Sequence, residues 1–157
     1  MAAAGTAASM TGMYATALLL HLLGAAIWTG GHLVLATAVL PRALRARDPA
    51  VLLNFEQGFE RIGIPALITQ VLSGLWLAHL QLPPGEWFAL ATPQSHLIAA
   101  KLGLLATTAV FALDARLRLI PHLTAASLPA MAWHIWPVTL LSIVFVMVGA
   151  GFRLGWG

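Results

Sequence analysis

The sequence contains no cysteine, and Asp, Glu, Lys and Arg together make up only 8% of its 157 residues. The absence of cysteine excludes disulfides, thiolate metal sites and cysteine nucleophiles. The scarcity of charge excludes an ordinary water-soluble domain, in which roughly 25% of the residues are charged. Hydrophobic residues, by contrast, reach 60%. At this length we expect one domain, residues 1–157, and the composition places it in a membrane.

Several functional motifs are also missing. There is no Ser-His-Asp arrangement, no Gly-rich phosphate loop and no pair of carboxylates within the apolar segments. Hydrolase and nucleotide-dependent activities therefore have no support, and the sequence favours a non-enzymatic role. The net charge of +3 comes from short loops, which membrane topology explains better than a nucleic-acid partner does. Residues 1–11 lack Lys and Arg, so we expect a retained span rather than a signal peptide.

Four apolar segments dominate the chain. A helix needs about 20 apolar residues to cross a bilayer, and residues 13–40, 62–82, 95–120 and 129–152 meet this requirement. Residues 49–61 are amphipathic, and they form either an interfacial helix or the first turns of the second span. The sequence predicts an all-α integral membrane protein, a bundle of four transmembrane helices.

The basic residues predict the orientation of the bundle. Arg42, Arg45 and Arg47 follow the first span, and Arg116 and Arg118 end the third. Because cytoplasmic loops carry an excess of Lys and Arg, the first and third loops should face the cytoplasm. Both termini are then expected on the periplasmic side.

The six histidines separate into two depths when they are placed along these spans. The outer group comprises His21, His79 and His96, and the inner group comprises His32, His122 and His134. His21 and His32 should project from one face of the first helix, about 16 Å apart along its axis. Histidine is the commonest metal ligand, so both groups are candidate copper or haem sites. The alternative for the four histidines near span ends is an ordinary interfacial position.

Lys101 is a second polar residue inside a predicted span, at a depth close to that of His21. Its ammonium group either snorkels outward on its long stem or serves as a countercharge for a propionate, a carboxylate or a quinone oxygen. Asp114 and Arg118 are four residues apart on the same span, which predicts a helical ion pair. Met10 and Met13 are weaker candidates as thioether ligands of Cu(I).

Short motifs in three spans resemble the copper resistance protein D (CopD) family. The first span has His21 with Trp28 seven residues later and then a Gly-Gly pair, the second has Pro65 followed by Gly74-Leu-Trp, and the third has Lys101-Leu. The resemblance implies a multi-pass protein of a bacterial inner membrane that contributes to copper uptake or resistance. It also implies a periplasmic copper-binding protein as donor.

HemJ-type protoporphyrinogen oxidases share some of these elements, among them His21, Trp28, Glu60-Arg61 and Lys101. The chain departs from that family because Leu40-Pro41-Arg42 comes a helix length after Trp28 rather than soon after it. The CopD resemblance is therefore the closer one. The HemJ resemblance makes Lys101 and Trp28 candidate cofactor-binding residues.

Three hypotheses remain open. The first is a copper-handling protein with histidine clusters at two membrane depths. The second is a redox protein that binds b-type haem, including HemJ-like oxidase activity. The third is a scaffold subunit without a ligand. The sequence leaves the direction of copper transport open, and a unit of this size is a candidate homodimer.

Overall fold

The computed structural model describes residues 2–155, with side chains for 11–152 and 154–155. Met10, a candidate ligand, lies outside the described side chains. Within the described range the chain is helical and contains no strand. Its α-helices are α1 (Ala2–Val34), α2 (Leu40–Ala46), α3 (Pro49–Gln81), α4 (Pro93–Asp114) and α5 (Leu128–Leu154).

Two π-helical turns lengthen these helices. One turn, Leu35–Val39, joins α1 to α2 without a break, and the other, Ala115–Leu119, extends α4. Four helical segments of the described chain are long and apolar enough to cross a membrane. They are Thr11–Ala46, Pro49–Gln81, Pro93–His122 and Leu128–Phe152. The predicted number of spanning helices is confirmed.

The amphipathic segment 49–61 is the first part of α3 and is not a separate interfacial helix. Its start is set locally, because the Asp48 side chain accepts a hydrogen bond from the Ala50 amide and Pro49 occupies the first turn. Arg47, at a φ of 51°, makes the reversal from α2 into α3. This connection is so short that α2 and α3 must run antiparallel.

The buried core lies at one end of the bundle, where the arginine-bearing loops connect the helices. It combines small and large apolar side chains from all four spans, namely Ala36, Leu40, Ala43, Leu52, Ala115, Leu128, Met131 and Ile135. Because lipid provides no hydrophobic driving force between helices, close packing of this kind holds them together. The opposite end, where α1 begins and α5 ends, has no comparable cluster among the described residues.

Helix α1 makes its most extensive contact with α3. At Gly24 a β-carbon would lie 2.8 Å from the carbonyl oxygen of Ala66 and 2.8 Å from Cβ of Gln70. At Gly31 a β-carbon would collide with the ring of Phe59. Glycine at position 24 therefore lets the two backbones approach closely, and glycine at position 31 leaves room for the ring of Phe59.

We predict that Gly24→Ala destabilises the protein by about 1–3 kcal/mol, because the added methyl group forces α1 away from the backbone of α3. Thermal unfolding of the detergent-solubilised protein, followed by circular dichroism, measures this. Gly30→Ala is the matched control, since nothing lies within 4 Å of its β-carbon position. An equal melting temperature for the two variants would contradict the prediction.

Candidate functional site: a polar cavity between the four spans

A cavity of about 520 Å³ opens between the four spans at the end opposite the core. Its position follows from its lining, which includes Tyr14 near the start of the first span, Gln81 at the end of α3 and Phe152 near the end of α5. Most of the wall is apolar, and the size is that of a small-molecule site. No Asp or Glu among the described residues lines it.

His21 lies in this cavity and is held by α3. Its Nδ1 lies 2.8 Å from the backbone carbonyl oxygen of Gln70 and 3.3 Å from Oγ of Ser73. A carbonyl oxygen can only accept, so Nδ1 carries the hydrogen and donates it. In the neutral ring, Nε2 therefore keeps its lone pair. This is the arrangement in which an imidazole is ready to bind a metal or accept a proton.

Gly74 explains why the His21 ring can lie directly against α3. A β-carbon at position 74 would be 2.8 Å from Cε1 of His21. Any side chain there would push the ring away from the carbonyl of Gln70. The glycine of the Gly74-Leu-Trp motif thus leaves room for the imidazole of His21.

Lys101 brings a cation to the same place. Its Nζ lies 3.4 Å from Nε2 of His21 and donates to it. The ammonium group also lies 5.7 Å from the ring centroid of Phe145 and 5.5 Å from that of Phe152 on α5. At Gly149, a β-carbon would be 3.3 Å from Nζ. Lys101 thus lines the cavity and contacts both α1 and α5.

Two further polar residues of the cavity wall have an unpartnered atom. Gln70 and Thr108 are 8% and 7% exposed, and neither Oε1 of Gln70 nor Oγ1 of Thr108 has a hydrogen-bond partner among the described residues. Neither residue is among the site residues predicted from the sequence. The signal was present, since both are polar side chains in the middle of apolar spans, where such groups are costly unless a partner is found.

Trp28 and His32 form a separate ring pair. Trp28 lines the cavity, whereas His32 is absent from its lining. The two ring centroids are 4.5 Å apart, and His32 Nδ1 donates to the Trp28 carbonyl at 2.9 Å. The ring of Phe59 meets His32 edge-on at 6.3 Å. His32 therefore packs against aromatic rings at the interface between α1 and α3.

The remaining outer histidines do not join His21 in the cavity. His79 and His96 are both exposed, and neither lines the cavity. His122 is exposed as well, and its Nδ1 lies 3.3 Å from a carbonyl oxygen of the preceding turn. Within the described residues no group of three or more His, Asp or Glu side chains could hold a metal ion.

His134 has a carboxylate partner. Its Nε2 lies 2.8 Å from Oδ2 of Asp114, and Arg118 lies 3.2 Å from Oδ1 of the same carboxylate. The ion pair predicted between Asp114 and Arg118 is confirmed. His134, which lies on α5, contacts the carboxylate of this ion pair as well. Placing the histidines by depth did not predict this contact between helices.

A comparison with protein-family models matches the copper resistance protein D family over residues 53–152, more than half of the chain. The chain belongs to the copper resistance protein D (CopD) family. Comparison with curated proteins and with solved structures gives no match. CopD membership connects this multi-pass protein with copper resistance or transport. The matched region contains Gln70, Lys101 and Thr108, while His21 reaches the same cavity from the helix that precedes it.

Proposed function

We propose that this CopD-family chain is a single-unit copper-handling protein of a bacterial inner membrane, and that copper passes through the cavity at His21. The observation that carries the proposal is the state of the His21 ring. Nδ1 donates to the carbonyl of Gln70 at 2.8 Å, so Nε2 carries the lone pair that can bind a metal once Lys101, 3.4 Å away, turns aside. Metal-binding histidines usually donate their second ring nitrogen in this way.

Copper is the substrate in this proposal rather than a resident cofactor. Imidazole nitrogen suits copper, and one imidazole without a full ligand set gives a site that releases its ion readily. Transport requires binding strong enough for entry and weak enough for exit. Lys101, 3.4 Å from Nε2, must turn aside when the ion binds, which weakens the site further. A periplasmic copper-binding protein is the proposed donor.

The proposal gives the other histidines lesser roles. His79 and His96 are exposed near the outer ends of their helices, where they can contribute to encounter with the donor. His32, His122 and His134 belong to the inner part of the bundle in the proposed orientation. Of these, His134 is committed to Asp114. A homodimer remains part of the proposal, as does the grouping of histidines at two depths.

We predict that His21→Gln lowers copper transport at least about tenfold, since loss of even a supporting contact to a metal-binding histidine costs 10- to 100-fold. The measurement is copper content, by mass spectrometry, of membrane vesicles that contain equal amounts of each variant. His96→Gln is the control, because His96 is exposed and lies outside the cavity lining, and copper supplied as the free ion makes encounter with a donor unnecessary. Equal copper content in His21→Gln and wild-type vesicles would remove the proposal.

The proposed orientation has both termini in the periplasm, and it rests on the arginines at the loop end of the bundle. It would direct the cavity toward the periplasm and the close-packed core toward the cytoplasm. Alkaline phosphatase fused after residue 157 should be active, and green fluorescent protein fused there by the Sec route should be dark. A fluorescent fusion with an inactive phosphatase would place the C-terminus in the cytoplasm and reverse the orientation.

A second candidate function is binding of b-type haem, and the cavity volume favours it. The residues present fit part of such a site: His21 offers an imidazole lone pair, Lys101 a cation for a propionate, and Trp28 an aromatic wall. When bound, the haem would supply one-electron redox chemistry. His32, the first-helix histidine of the second predicted depth, does not line this cavity.

If haem binds, the protein purified after haem supplementation should show a Soret band, and His21→Gln should shift or abolish it while His96→Gln leaves it unchanged. The absorption spectrum is recorded on each purified, detergent-solubilised variant. A colourless wild-type protein after supplementation would eliminate this candidate, including the HemJ-like oxidase activity.

A further inference from the structure

The charge of Lys101 has no counterion among the described residues that line the cavity. Its three near neighbours are the imidazole of His21 and the rings of Phe145 and Phe152, all of which lack a negative charge. No carboxylate among the described residues lines the cavity. The ammonium group is therefore held by a lone pair and two aromatic faces alone.

Two other cations of the bundle have a carboxylate partner. Arg116 pairs with Glu60, and Arg118 pairs with Asp114, although both arginines are exposed. Exposed cations gain little from such pairing because water already stabilises them. Lys101, which is half-buried between helices, has more to gain from a counterion and has none among the described residues. Ionisable groups at such positions in membrane proteins commonly serve a ligand.

The wall of the cavity also holds unpartnered polar atoms, Oε1 of Gln70 and Oγ1 of Thr108, on residues that are more than nine-tenths buried. A purely hydrocarbon occupant would leave the charge of Lys101 and the hydroxyl of Thr108, which can donate, without a partner, whereas Oε1 of Gln70 only accepts and is not satisfied by an anion. Leucine side chains make up much of the apolar wall, among them Leu18, Leu67, Leu102 and Leu105. The complementary ligand therefore has an apolar body and an anionic head.

We propose that the cavity binds a membrane-soluble carboxylic acid of the long-chain fatty acid class, with its carboxylate on Lys101 and its chain along the leucine wall. Charge complementarity decides for an acid over a neutral lipid or a quinone, because a neutral ligand would leave Lys101 uncompensated. The proposal goes beyond copper handling and does not depend on it, since it requires no metal at His21.

Equilibrium dialysis of radiolabelled palmitate tests the proposal on the full chain, purified in a maltoside detergent. Both chambers contain the same detergent micelles and a chelator that removes copper. We expect saturable binding of one palmitate per chain. Unlabelled palmitate should displace it, and hexadecanol or a short-chain ubiquinone should compete at least about tenfold more weakly, as expected for loss of a charged hydrogen bond.

Variants of Lys101 test whether palmitate binding depends on the charge of this residue rather than on the folding of the protein. Lys101→Met, which keeps length but loses charge, should weaken binding about tenfold or more, whereas Lys101→Arg should retain it. Arg118→Gln is the matched control, because it removes a cation from the same span at the other end of the bundle. Circular dichroism and gel filtration establish that each variant is folded.

Three results would overturn the proposal: no saturable palmitate binding, equal competition by hexadecanol, or unchanged affinity in Lys101→Met. The first two are measured on the wild-type chain, so the test stands even when a variant fails to fold. Because copper is chelated throughout, failure here says nothing against copper transport. Failure of His21→Gln to alter copper content, in turn, leaves this proposal intact.

Discussion

The close approach of α1 to α3 is the constraint on which the polar cavity depends. At Gly24 the two backbones are so near that a single methyl group would not fit. This proximity brings the ring of His21 within 2.8 Å of the Gln70 carbonyl, and that hydrogen bond fixes which ring nitrogen keeps its lone pair. Without the small residue at position 74, the same ring would have no space. Backbone contact thus determines the chemistry of the imidazole.

The bundle is asymmetric along its length. At the loop end, alanine and leucine side chains such as Ala36, Leu40 and Leu52 form a buried apolar core between the helices. At the other end the helices enclose polar side chains and empty volume. A protein that binds something in a bilayer needs both properties: a tightly packed part that fixes the helices, and a part where polar groups are left for a ligand.

Hydropathy was sufficient to predict the four spans, because length and apolar composition are local properties of the chain. Loop signals such as Pro49 and Pro93 also place helix starts. Helix rotation is different, since it depends on which small residues let two backbones meet. Spacing therefore identified His21 and Lys101 as unusual but did not predict their contact. The unpartnered state of Gln70 and Thr108 is likewise a property of three-dimensional packing.

The two-residue connection between α2 and α3 has a mechanical consequence. The core and the tight reversal at Arg47 and Asp48 lie at the same end of the bundle. The helices are therefore held together most firmly at that end. A small tilt about that end moves the far ends of the helices most. We expect the width of the gap around His21 and Lys101 to change with helix tilt. A long helix adapts to bilayer thickness partly by tilting, so we expect bilayer thickness to affect this width.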